Sequence, residues 1–191
     1  GGSTTNSVAE TGSGMGFDLA FPDGFNGVSL TWDLINNYTV PESKTLYITN
    51  YYNNTSDQLF INDVTVYQGG SNYNNNGNLK MPFIVKSGEV VAAENGSFHG
   101  FLVDSSDIDP VTWDLNNSYI VADGKKLCII NYYNNTADQL FIDDVTVYQG
   151  GSNYNNNGNP GMPFIINAGE VVSAENGSFN GYLVDEDYFS S

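Results

Sequence analysis

The chain has 191 residues, of which 40% are hydrophobic and 14% aromatic, enough for packed cores in one domain or two small ones. Its 22 acidic residues outnumber five basic ones, and the net charge of −17 disfavours binding to nucleic acid or to anionic membrane surfaces. No apolar run approaches the roughly 18 residues of a membrane-spanning helix, so we expect no membrane insertion. The Gly-Gly start suggests processing, such as removal of a signal peptide.

A polar lead rich in Gly, Ser and Thr is followed by the alternating stretch MGFDLAF, which predicts an extended strand within residues 1–22. Met15, Phe17, Leu19 and Phe21 would share one side of that strand. Burying them is worth on the order of 6–12 kcal/mol as an upper bound, and the strand needs a sheet edge. It could fold back on the first domain of its own chain, or it could add a strand to a neighbouring molecule.

The rest of the chain repeats itself at a spacing of 81 residues. Trp32 recurs as Trp113, and residues 31–104 align with residues 112–185 without a gap, at about three quarters identity. Polar loops such as NYYNNT, VYQGG and SNYNNNGN recur unchanged, which either recent duplication or a shared partner surface would explain. We infer two domains of one fold.

Within each unit, short runs rich in β-branched and aromatic residues alternate with turns rich in Gly, Asn and Asp, and no helical period is sustained. The predicted fold class is all-β, with two tandem jelly-roll-like β-sandwich domains after the N-terminal strand and an immunoglobulin-like sandwich as the alternative. We assign the first repeat to residues 23–105 and the second to 106–191, joined at DSSDIDP, residues 104–110.

The residues that nucleophilic and zinc enzymes use are nearly absent. His99 is the single histidine and aligns with Asn180, while Cys128 is the single cysteine and aligns with Tyr47. Zinc, Ser-His-Asp and Cys-His constellations are therefore excluded. We expect Cys128 to be a buried structural thiol and His99 to be an exposed strand residue.

Acidic residues leave two weaker alternatives open. A glycosidase could use duplicated carboxylates, but these lie beside turn residues: Glu94 and Glu175, Glu89 and Glu170. A structural calcium ion could bind one of the aspartate groups, although none has the EF-hand order: Asp107 with Asp109, Asp57 with Asp63, Asp138 with Asp144. We predict no enzyme, no catalytic metal and no cofactor beyond covalent glycans.

Seven asparagines carry the Asn-x-Ser/Thr sequon of N-linked glycosylation. They are predicted glycan acceptors on a secretory route: Asn37, Asn53, Asn54, Asn95, Asn116, Asn134 and Asn176. Two pairs are related by the repeat, Asn53 with Asn134 and Asn95 with Asn176, and both pairs lie at predicted turns. The single cysteine reports little about the compartment, and together with the expected sugar we predict a secreted, extracellular or cell-surface protein.

This layout resembles the tandem jelly-roll subunits of glycosylated extracellular fibrils recovered from environmental water. The resemblance covers the N-terminal strand, the two units of about 80 residues and the repeated sequons. It implies head-to-tail polymerisation, in which Met15, Phe17, Leu19 and Phe21 enter the neighbouring subunit and sugar coats the filament.

We therefore predict a structural, non-catalytic fibril subunit whose partner is a second copy of itself. The alternative is a carbohydrate-binding module or adhesin domain, in which loops rich in Tyr and Asn bind sugar by stacking and hydrogen bonds. Tyr73 and Tyr154 are the residues predicted to form that surface.

Overall fold

The computed structural model describes residues 19–53, 57–68, 76–77, 82–134, 138–149, 157–158 and 163–190. In these ranges every regular element is a β-strand, and all sheets are antiparallel. The predicted all-β class with two tandem β-sandwiches is confirmed. None of the described residues forms a helix long and apolar enough to cross a membrane.

The first repeat consists of nine strands: β1 (Val28–Asp33), β2 (Tyr38–Thr39), β3 (Lys44–Tyr52), β4 (Gln58–Ile61), β5 (Val64–Gln68), β6 (Asn76–Gly77), β7 (Phe83–Val85), β8 (Val90–Ala93) and β9 (Ser97–Asp104). One sheet has the order β1-β9-β3, and β6 and β7 both pair with β3 beyond it. The facing sheet has the order β2-β8-β4-β5. First and last strands are neighbours in both sheets, which is the arrangement of a jelly roll.

The second repeat reproduces this arrangement strand for strand: β10 (Asp109–Asp114), β11 (Tyr119–Ile120), β12 (Lys125–Tyr133), β13 (Gln139–Ile142), β14 (Val145–Gln149), β15 (Asn157–Gly158), β16 (Phe164–Asn167), β17 (Val171–Ala174) and β18 (Ser178–Asp185). Its sheets have the orders β10-β18-β12, with β15 and β16 beside β12, and β11-β17-β13-β14.

Each sandwich closes on its own core because alternate side chains of the two sheets point inward. In the first repeat Leu46, Ile48 and Phe98 are fully buried, and Leu127, Ile129 and Phe179 are their counterparts in the second. A register shift after Ile48, repeated after Ile129, inserts one extra residue into each central strand.

Two backbone requirements recur in both repeats. The β4–β5 hairpin turns at Asn62 and Asp63, both with positive φ, and Asp143 and Asp144 do the same between β13 and β14. Such two-residue turns favour Asn and Asp. A Cβ at Gly181 would lie 2.0 Å from the Cys128 carbonyl oxygen, so the two strands can pair only with glycine there.

Candidate assembly surfaces

The two sandwiches meet where one edge of the first repeat lies across the outer face of the β10-β18-β12 sheet. β5 and β7 contact β10, β12 and β18. On β18, Asn180 Oδ1 accepts a hydrogen bond from the Ile84 N–H at 2.8 Å, and Asn180 Nδ2 donates to the Ile84 carbonyl at 2.9 Å. Asn131 on β12 donates to the Pro82 carbonyl at 2.8 Å. Two buried amides thus satisfy the backbone of an edge strand from the other repeat.

Further polar contacts between strands of the two repeats include two hydroxyl hydrogen bonds and one ion pair: Ser178 Oγ to the Thr65 carbonyl at 2.5 Å, the Tyr133 hydroxyl to Gln68 Oε1 at 3.0 Å, and Lys86 Nζ to Asp109 Oδ1 at 2.6 Å. The ion pair is about half exposed, so its contribution is at most about 1 kcal/mol. The interface therefore depends mainly on the buried hydrogen bonds and on apolar packing.

That packing forms a third apolar cluster, which is built from the outer faces of both repeats and from the segments that flank them: Ala20, Tyr47, Ile84, Ile108, Cys128, Ile130, Tyr182 and Val184. Tyr47 and Cys128 occupy equivalent positions and both lie in it. Burial raises the pKa of the Cys128 thiol to about 11, so the predicted buried structural thiol agrees with the structure. Burial and the bond to Asp23 raise the pKa of Tyr47 well above its ordinary value.

The N-terminal segment belongs to this cluster in the single chain. Phe21 stacks on Tyr47 and Phe101 with ring centroids 5.9 and 6.2 Å apart, and the Leu19 carbonyl accepts the Tyr182 hydroxyl hydrogen at 2.6 Å. Asp23 Oδ2 accepts from the Tyr47 hydroxyl at 2.7 Å. The segment therefore lies against both repeats of its own chain.

Leu19 and Phe21 are consequently not part of an extended donor strand in this structure. Residues 19–20 form a turn, and the Gly24 N–H bonds the Phe21 carbonyl at 2.9 Å across Pro22 and Asp23. Proline and glycine in these positions favour a reverse turn over a strand. Met15 and Phe17 lie outside the described residues.

The edge that the first repeat buries is exposed in the second. Ile84 has no exposed surface, whereas its counterpart Ile165 is 47% exposed. Val66 is 3% exposed, whereas Val147 is 36% exposed, and Val145 reaches 64%. An apolar strand edge thus remains uncovered at the far end of the chain.

Part of the face that the second repeat buries is likewise exposed in the first. Tyr133 is 6% exposed, whereas Tyr52 is 48% exposed, and Asn50 and His99 are exposed as well. His99 was predicted to be an exposed strand residue, and its Nδ1 lies 2.8 Å from Thr31 Oγ1. These side chains, with Ser97, line an open cleft of about 260 Å³. We call this surface the receiving face.

A second cleft, of about 400 Å³, opens at the junction between the repeats, and its lining is mostly polar. Asp63 and Asp114 contribute carboxylates to it, and Asn116 lies beside them. Across the described ranges, no three His, Cys, Asp or Glu side chains are grouped so that they could hold a metal ion.

Four of the acids singled out in the sequence take local structural roles. Glu89 accepts a hydrogen bond from the Lys86 N–H at 2.8 Å, and Glu170 accepts from the Asn167 N–H at 2.7 Å. Both close the turn in which they lie, and burial raises the pKa of Glu89. The Asp57 carboxylate accepts from the Asn95 amide, a contact that Asp138 and Asn176 repeat.

The predicted glycan acceptors divide by exposure. Asn116 is exposed on a turn, Asn37 is exposed just after the turn that follows β1, and Asn95 and Asn176 are half-buried. Asn53 and Asn134 are fully buried, which argues against the predicted glycan on either, because a sugar on a buried amide would have to displace the core around it. Asn54, like the predicted sugar-binding Tyr73 and Tyr154, lies outside the described residues.

Sequence reasoning missed the contact between the repeats. A signal was present, because substitutions between the copies fall on alternate residues of paired strands: Thr45 and Lys126, Tyr47 and Cys128, Thr49 and Ile130, His99 and Asn180, Phe101 and Tyr182. Alternate residues share one face of a sheet. The pattern indicates that one outer face has different neighbours in the two copies.

No family model matches the chain, and no curated protein does. Among solved structures, it is similar to a conserved protein of unknown function from Pseudomonas aeruginosa, at 8% identity and a TM-score of 0.29. The match covers 83% of this chain and 76% of the other. A similarity at this level carries no argument about function.

Proposed function

We propose that the chain is a non-catalytic structural subunit of a glycosylated extracellular fibril, and that it polymerises head to tail. The observation that carries the proposal is the exposed apolar edge of the second repeat, at Val145, Val147 and Ile165, since the first repeat buries Val66 and Ile84, the counterparts of the last two. An edge strand with apolar side chains is prone to pair with another chain unless something covers it.

A head-to-tail contact also explains why the two exposed surfaces differ. The uncovered edge lies on the second repeat and the receiving face on the first, so one molecule carries both halves of a heterologous contact. Repetition of such a contact gives a filament unless the rotation closes it into a ring.

Sugar on exposed sequons is compatible with such a filament. Asn37 and Asn116 are exposed, neither belongs to β14, β16 or the receiving face, and Asn116 lines the open cleft between the repeats. Glycans there would keep the polymer hydrated, and secretion would supply them. Strand donation remains part of the proposal for the residues that precede Leu19.

The test is negative-stain electron microscopy with sedimentation velocity on the full glycosylated chain, over a range of concentrations. We expect filaments whose mean length rises with concentration. A single 20.7 kDa species, plus glycans, at every concentration would overturn the proposal. A chain that lacks residues 1–18 isolates strand donation, because filaments that persist unchanged would exclude it.

A carbohydrate-binding module is the second candidate, because the cleft of the receiving face presents a half-exposed tyrosine among polar groups. Tyr52, Asn50 and His99 offer a ring for stacking and hydrogen-bonding groups for hydroxyls. A glycan array would test it. Binding that disappears with Tyr52→Ala, in a protein that forms no filaments, would favour the module over the fibril.

A further inference from the structure

Many of the residues that join the two repeats within one chain recur on the surfaces that the chain leaves exposed, the edge of the second repeat and the receiving face of the first. On the edge, VTVYQ of β5 recurs as VTVYQ of β14, and Pro82-Phe83-Ile84 recurs as Pro163-Phe164-Ile165. On the face, the three polar residues that bond this edge and the threonine that bonds Asn180 are identical in the first repeat: Asn50, Tyr52, Ser97 and Thr31 match Asn131, Tyr133, Ser178 and Thr112.

We propose that a second copy of this chain docks the edge formed by β14 and β16 onto the receiving face, and so repeats between molecules the contact that joins the repeats within one. The inference rests on the proposed head-to-tail polymerisation and specifies its contact surfaces. In this arrangement Asn50 donates to the Pro163 carbonyl of the neighbour, as Asn131 donates to Pro82, and Ser97 donates to the Thr146 carbonyl, as Ser178 donates to Thr65.

Three differences make the contact between molecules weaker than the one within the chain. In the first repeat, His99 occupies the position of Asn180, which binds both backbone polar groups of Ile84. The Nδ1 of His99 already lies against Thr31, so only its Nε2 can reach Ile165 of the neighbour. Thr49 replaces the buried Ile130. The ion pair of Lys86 with Asp109 is also lost, because the residues at these positions are Asn167 and Val28.

The short connection between the repeats further favours the contact within the chain over the contact between molecules. Only residues 105–108 separate β9 from β10, so the two repeats of one chain are held at a high effective concentration. The repeats of one molecule therefore stay docked, while docking between molecules depends on concentration. Phe21 covers the part of the outer face around Tyr47 and Phe101, so the neighbour uses the open part around Asn50 and His99.

Two substitutions test the contact in opposite directions, with a matched control. Ile165→Glu places a charge on the docking edge, and we expect it to abolish assembly, because a carboxylate would be buried against the receiving face. Ile120→Glu makes the same change at a 66% exposed position of β11 and should leave assembly unchanged. His99→Asn restores the side chain of the second repeat and should tighten association about tenfold.

A mixing experiment tests whether the contact is heterologous. His99→Glu blocks the receiving face and leaves the edge intact, whereas Ile165→Glu does the opposite. Each variant alone should sediment as a monomer, and an equimolar mixture should form a 1:1 dimer and nothing larger. A mixture that stays monomeric while the wild type assembles would overturn the inference.

The outcomes for the interface and for the fibril are distinguishable. Wild-type filaments that persist in Ile165→Glu would overturn this inference and leave the proposed function standing. A wild type that forms no filaments, combined with a mixture that dimerises, would support the interface and overturn the fibril. Monomers throughout, including His99→Asn, would overturn both.

Discussion

Asn180 binds both backbone polar groups of Ile84, which lies in the other repeat, through hydrogen bonds of 2.8 and 2.9 Å. Because both partners are buried, Asn180→Ala would leave the Ile84 N–H and carbonyl without these bonds. We expect a loss of about 2–4 kcal/mol in the free energy of unfolding, measured by urea denaturation. His99→Ala, at the equivalent exposed position, is the matched control and should change stability by less than about 0.5 kcal/mol. Equal effects of the two variants would contradict this account of the interface.

Because β12 and β18 approach closely at Gly181, adding one methyl group there should greatly lower the free energy of unfolding. The Cβ of Gly181→Ala would meet the Cys128 carbonyl oxygen at 2.0 Å, so β12 and β18 would have to separate. We expect a loss of about 3 kcal/mol or more by thermal or urea denaturation. Gly88→Ala is the control, since its φ is +84° but nothing lies within 4 Å of the added atom. It should cost about 1–2 kcal/mol, through backbone strain alone.

The thiol of Cys128 should be unreactive in the folded protein. It is fully buried, and burial raises its pKa to about 11, so little thiolate is present near neutral pH. A chromogenic disulfide reagent at pH 8 should detect no thiol in the native state and one thiol per chain in guanidinium. Rapid reaction of the native protein would place Cys128 outside the cluster between the repeats.

Stability should fall at alkaline pH because two equivalent core tyrosines resist ionisation. Burial raises the pKa of Tyr51 and of Tyr132 to about 12, against an ordinary value near 10. The folded state then holds these protons while the unfolded state releases them. Their stabilising effect is complete below about pH 10 and is lost as the pH rises toward 12. Urea denaturation at pH 8 and pH 11 should show this loss, and Tyr51→Phe with Tyr132→Phe should reduce the difference.

Glycan mapping by mass spectrometry of peptides should follow exposure. We expect sugar on Asn37 and Asn116, whose side chains are exposed, and none on Asn53 or Asn134, which are fully buried. The buried pair is the internal control, because both residues have intact sequons. Glycan on Asn134 would show that this part of the second repeat is arranged differently from the structure.

Much of the fold could be predicted because its determinants are local. Alternating apolar residues in runs such as KTLYITNYY and the repeated Asn-Asp and Asp-Asp turns specify strands and hairpins within a few residues. The gapless 81-residue repeat then requires the two units to share one fold. The strand order did not follow from these local signals, which also fit an immunoglobulin-like sandwich, and the structure has the order of a jelly roll.

The contact between the repeats could not be predicted in the same way, since its partners are distant in sequence. Asn180 and Ile84 are 96 residues apart, and the sequence around either residue does not indicate that the other is its partner. The alternation in MGFDLAF predicted a strand through Phe21, yet the following Pro-Asp-Gly forms a turn that returns Phe21 to Tyr47. Tertiary contacts and turn chemistry outweighed the local pattern there.

The short connection between β9 and β10 also limits how far the protein can be stretched. From Asp104 to Asp109 the chain spans five peptide units, which reach at most about 17 Å when fully extended. Under tension the connection can therefore reach no further than this span before a strand must leave its sheet. In a fibre built from this chain, contacts between repeats of one molecule would alternate with contacts between molecules. The covalent connection would resist pulling at the first kind, and the fibre would break first at the second.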